Sequence, residues 1–191
     1  MQRFRQFLFV VSLLALSWFM MMAVHELGHV VGAFMTQGTV DRVVLHPLMI
    51  SRTDVSPNPH PLIVVWLGPI VGCIIPIAGW NLVPRRATTV RKIAMFFAGY
   101  CLVANGGYIS LGSFDHVGDC GVMLQSGSPM WTLFAFGVLT ISAGFYIWHR
   151  LGSFKRFLSD PSLVDSGTVR VLLFALVLVI MSEMMFSSFQ G

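Results

Sequence analysis

The stretch FLFVVSLLALSWFMMMAVHELGHVVGAF, residues 7–34, is apolar over more than the ~20 residues that a spanning helix needs. Its ionisable side chains are His25, Glu26 and His29, all within little more than one helical turn. Such groups are costly inside a bilayer, and their presence there points to function. Ahead of this run stand Arg3 and Arg5, so Met1 to Ala23 has the outline of a secretory leader. The apolar run is too long for a leader's core, and no small-x-small cleavage site follows it. We therefore expect a signal anchor that is retained.

Four further apolar runs extend from about Leu62 to Val83, Ile93 to Leu111, Met130 to Trp148 and Val169 to Phe186. The composition agrees with five spans. Of 191 residues, 55% are hydrophobic and only 10% are charged, against roughly 25% charged in average soluble chains. Mean hydropathy is +0.78. The expected fold is an all-α polytopic membrane protein, a single domain over residues 1–191. Its core covers about residues 7–127, followed by extra spans over about 130–187.

The formal net charge of +4 is explained by topology. With a cytoplasmic N-terminus, that side holds Arg3, Arg5, Arg85, Arg86, Arg91, Lys92, Arg150, Lys155, Arg156 and Arg170, and the other side only Arg42 and Arg52. This asymmetry is the positive-inside pattern. No interleaving of basic and stacking aromatic residues suggests nucleic acid. Cys73, Cys101 and Cys120 form neither a disulfide framework nor a zinc-ribbon spacing.

Between the first two spans, Thr39-Val40-Asp41-Arg42-Val43-Val44-Leu45-His46 is β-branched and partly alternating, as a strand is. Pro47, Pro57, Pro59 and Pro61 interrupt regular structure after it. A short β-hairpin or re-entrant segment is expected. At membrane depth it must line or cover a cavity, because irregular backbone is tolerated only against protein or water.

His25-Glu26-Leu27-Gly28-His29 is an H-E-x-x-H motif. Helical residues four apart share a face, so both imidazoles can reach one Zn²⁺ at ~2.0–2.1 Å. Glu26 is then placed as the base that takes a proton from the water the metal activates. Gly28 leaves room for a close neighbour or for substrate. A catalytic zinc takes three protein ligands and keeps one position open. Asp119 is the first candidate for the third ligand, with Asp115 and Glu183 as alternatives. All three fall on the same side of the membrane as the end of the first span. Asp119 is equally placed to cap a short helix from Cys120 to Gln125.

Taken together, Val24 to His29 in a span, the β-prone connector, Gly68-Pro69 in the second span and Asp119-Cys120-Gly121-Val122-Met123-Leu124 after the third resemble the site-2 protease family of intramembrane zinc metallopeptidases. The resemblance covers roughly residues 10–127. It implies zinc held by His25, His29 and an Asp, and a transmembrane segment of another protein as substrate. Family members carry Asn-Pro-x-Pro shortly before that Asp, whereas this chain has Asn105-Gly106-Gly107 further upstream. Asn105 is a candidate for binding substrate backbone, or for helix–helix contact. Rival expectations are a gluzincin-type membrane protease using Glu183 and a non-catalytic, metal-binding pseudoprotease or chaperone.

Overall fold

Inside a bilayer the backbone has no water to bond, so each long apolar run closes its hydrogen bonds within itself. A computed structural model describes residues 1–49, 51–161 and 163–189. Its elements run α1 (Gln2–Met35), β1 (Val40–Val44), β2 (Arg52–Val55), α2 (Pro61–Leu82), α3 (Thr88–Gly112), α4 (Gly118–Gln125), α5 (Met130–Leu151), α6 (Phe154–Ser159) and α7 (Ser166–Phe189). Helices α1, α2, α3, α5 and α7 are long and apolar enough to cross a membrane. The chain is an all-α polytopic membrane protein carrying one small antiparallel sheet. Helices α1 and α3 each begin five residues before the expected apolar boundary. There the helix continues through polar first turns containing Arg3 and Arg5, or Arg91 and Lys92.

Helix packing in lipid depends on close approach, because the surrounding lipid is as apolar as the side chains. Gly28 and Gly32 provide that approach between α1 and α2. A Cβ on Gly28 would lie 2.2 Å from the Leu67 carbonyl oxygen, and one on Gly32 would lie 2.8 Å from the Val64 Cα. On α3, Gly99 and Gly106 face Gly144 and Gly137 of the antiparallel α5, with each prospective Cβ 2.8–3.2 Å from the opposing glycine's carbonyl oxygen. The third seam joins α1 to α7. Phe9 and Leu13 pack with Phe157, Leu163, Val164, Val169 and Leu172 at the end bearing the N-terminus.

The C-terminus of α1 leads directly into the hairpin. Gln37 adopts a left-handed conformation (φ 60°), and the Gly38 N–H bonds back to the Ala33 carbonyl at 2.8 Å, which reverses the chain. The connector prolines leave room for a second strand between Pro47 and Pro57, so the connector takes the β-hairpin form of the expected segment. Strand β2 pairs with β1 in the register Arg42↔Asp54, Val43↔Thr53 and Val44↔Arg52, with an irregularity between Val40 and Arg42.

The α1–α2 seam is testable. Gly28→Ala should lower the thermal stability of the detergent-purified protein by about 1–3 kcal/mol, because backbone cannot yield to the new methyl. Gly79→Ala, where nothing lies within 4 Å of the new carbon, should be neutral or slightly stabilising. Equal melting temperatures for the two variants would contradict this packing.

Candidate metal centre

One turn of α1 separates His25 from His29, so their rings leave the same face, with centroids 4.8 Å apart. Both are buried, as is Glu26 between them. Asp119 approaches from α4, a short helix seated on α3: the Asp119 N–H donates to the Tyr108 hydroxyl at 3.2 Å, and Cys120 Sγ–H points at the Ile109 carbonyl at 3.5 Å. Asp119 does not cap this helix. The cap position is Val117, with no side-chain hydrogen bond, and the Asp119 carboxylate turns to the imidazoles instead. Its Oδ2 lies 2.8 Å from His25 Nε2 and 3.4 Å from His29 Nε2.

The outward nitrogens are set by what the inner ones touch. His25 Nδ1 is 2.7 Å from Asn105 Oδ1, and His29 Nδ1 is 3.0 Å from the Val64 carbonyl oxygen. Both partners are acceptors, so each Nδ1 carries a hydrogen and each Nε2 faces Asp119, where loss of the Nε2 proton to the carboxylate contact would free its lone pair for a metal. Metal-binding histidines are characteristically oriented in this way. The Asn105 amide donates in turn to the Cys101 carbonyl at 2.9 Å. Asn105 thus ties α3 to α1 through His25, the helix–helix contact that was one of its two expected roles, and it also lines the cavity beside the histidines.

Two glycines of α2 clear the space. A Cβ on Gly68 would stand 2.3–2.9 Å from atoms of both imidazoles, and one on Gly72 would stand 3.0 Å from the Asn105 amide. Gly68 was visible in sequence as part of Gly68-Pro69. Gly72 sits four residues on, hence on the same face, and that spacing was a signal left unread.

Burial alone would raise the Asp119 carboxyl. Hydrogen bonds from His25 and His29, and then their charge, outweigh burial and hold it below the usual carboxylate range. The group is thereby kept ionised, as a metal ligand must be. The ligand-type atoms of His25, His29 and Asp119 all lie within 4.8 Å of one another and could hold a metal ion. A tetrahedral zinc with bonds of ~2.0–2.1 Å places neighbouring ligand atoms roughly 3.3 Å apart. The His29–Asp119 distance already matches. The His25–Asp119 pair would open by about half an ångström, trading a hydrogen bond for coordination.

The other acidic candidates lie elsewhere. Asp115 is exposed in the turn after α3. Glu183 is buried on α7, its oxygens unpaired among the described residues, and it does not line the cavity that His25, Glu26, His29 and Asp119 share. His116 is exposed, with φ 55°. That cavity measures about 1160 Å³ and is bounded on one side by the hairpin, including Thr53. Thr53 and Tyr108 carried no motif in the sequence, and only folding brings them to the site.

No protein-family profile matches this chain, and comparison with curated proteins and with solved structures returns no match.

Metal analysis of the purified protein tests the centre. Gly68→Ala and Asp119→Ala should lose zinc, and Asn105→Ala should weaken its binding about 10–100-fold through loss of ring orientation. Asp115→Ala and Glu183→Gln should match wild type. Zinc lost with Glu183→Gln but kept with Asp119→Ala would move the third ligand to α7.

Proposed function

We propose that this protein is a zinc-dependent intramembrane endopeptidase of the site-2 protease kind, hydrolysing peptide bonds in or near transmembrane segments of other membrane proteins. The observation that carries the reading is the position of Glu26. It is a buried carboxylate on the wall of a membrane-depth cavity, one residue from His25 and beside His29 and Asp119. A site that only bound metal would have no use for it. At about 1160 Å³ the cavity exceeds an ordinary small-molecule pocket of ~300–1,000 Å³, as an extended peptide requires.

In this reading His25, His29 and Asp119 hold the zinc, while Asn105 and the Val64 carbonyl fix the two rings. Bound zinc would polarise the scissile carbonyl and acidify a water beside it. Glu26 removes a proton from the water whose oxygen attacks the carbonyl carbon. It then passes that proton to the leaving nitrogen as the C–N bond breaks, giving a carboxylic acid and an amine, which ionise to carboxylate and ammonium. An intact substrate helix hides its carbonyls in hydrogen bonds, so it must unwind locally to enter the cavity. The Lys and Arg distribution supports a cytoplasmic N-terminus, which puts the centre nearer the opposite face. The position of Glu183, away from the cavity, does not favour the gluzincin alternative.

The deciding variant is Glu26→Gln, assayed in liposomes against a panel of end-tagged single-span proteins. It should retain zinc and lose about 10²–10⁴ in rate, the usual worth of a general base. Cleavage at the wild-type rate would remove Glu26 from the role of base, whereas zinc-replete wild type that cuts nothing in the panel would argue for the non-catalytic metal-binding alternative.

A further inference from the structure

The Glu26 carboxylate is not held by its own helix. Thr53 Oγ1, from β2, donates to Glu26 Oε2 at 2.7 Å. Strand alternation explains why Thr53 is the residue that reaches it. Its neighbours Arg52 and Asp54 point to the other face, where Arg52 Nε lies 3.3 Å from Asp54 Oδ1 and Arg42 Nε lies 3.5 Å from Asp54 Oδ2. The pairing of Thr53 with Val43 fixes the register, and a slip of one residue would turn a charge toward Glu26 instead.

We infer that Thr53 is a positioning residue for Glu26, so that the hairpin is a working part of the reaction centre and not only a wall of the cavity. This rests on the peptidase reading above. A carboxylate has two oxygens. Holding Oε2 from the strand stops rotation of the group and leaves Oε1 as the base. Glu26 is buried, and a long side chain with rotamer freedom loses effective molarity when displaced by even an ångström. The hairpin also bounds the cavity. Any movement of β2 on substrate entry is therefore transmitted to the proton acceptor through one hydrogen bond.

The test uses full-length protein with two variants and two readouts. Thr53→Val keeps the shape and strand preference but removes the hydroxyl, and Thr53→Ser restores it. Thr53→Val should keep zinc content and KM but lower kcat about 10–100-fold, with Thr53→Ser within about threefold of wild type. The second readout needs neither activity nor metal. In zinc-stripped protein, the melting-temperature shifts of Thr53→Val and Glu26→Ala, each of which removes the side-chain hydrogen bond, should be non-additive. Additive shifts, or unchanged kcat in Thr53→Val, would overturn the inference while leaving the peptidase reading intact. Equal loss of kcat in the Val and Ser variants would overturn it too, by pointing to packing. Non-additive shifts in a zinc-replete wild type that cuts nothing would overturn the peptidase reading, and the catalytic part of this inference with it.

Discussion

Ionisable groups at membrane depth cost several kcal/mol unless they are paired or face water. His25, Glu26 and His29 impose that cost on α1 within one stretch of helix, and much of the surrounding architecture answers it. Each group is satisfied by a different element: Asn105 of α3 and Asp119 of α4 for His25, the Val64 carbonyl of α2 for His29, and Thr53 of β2 for Glu26. Removing one of these elements leaves a buried polar group without a partner, which is why the hairpin and the short α4 are as much part of the core as the spans.

That arrangement demands unusual proximity of backbones. The histidine face of α1 can be buried only if α2 approaches to within contact of its imidazoles, and side chains at Gly28 or Gly68 would prevent it. Close backbone approach lets dispersion and weak Cα–H···O contacts act across the seam. The same device recurs between α3 and α5, where paired glycines seven residues apart on each helix lock the antiparallel crossing. This second seam secures α3, and through α3 both Asn105 and the platform on which α4 sits.

The site combines rigidity with access. The histidines and Asn105 sit on spanning helices, whereas Glu26 is held from a two-stranded sheet, and such a sheet alone is marginal in water. Here it is tied to α1 by the Gln37 turn and by Thr53. The hairpin bounds the cavity that substrate would enter, so access to the site and the position of Glu26 depend on the same two strands.

Much of this was legible beforehand, and the dividing line is physical. Span number and approximate limits follow from apolar length alone, since lipid permits a long apolar run little except a helix. The shared face of His25 and His29 follows from helical geometry, and a strand after α1 from the β-branched run at Val40–Val44. What the sequence could not decide depends on contacts between distant residues. Asp119 and Asp115 are four apart and chemically alike; the left-handed turn at His116 and the seating of Cys120 on α3 send one inward and leave the other exposed. Asn105 was visible as a polar residue in a span, but its partner lies 80 residues away. Thr53 carried no signal, because its role arises only where strand register meets the face of a helix. Local periodicity determined the elements, and the convergence of Asp119, Asn105 and Thr53 on α1 was decided by tertiary packing alone.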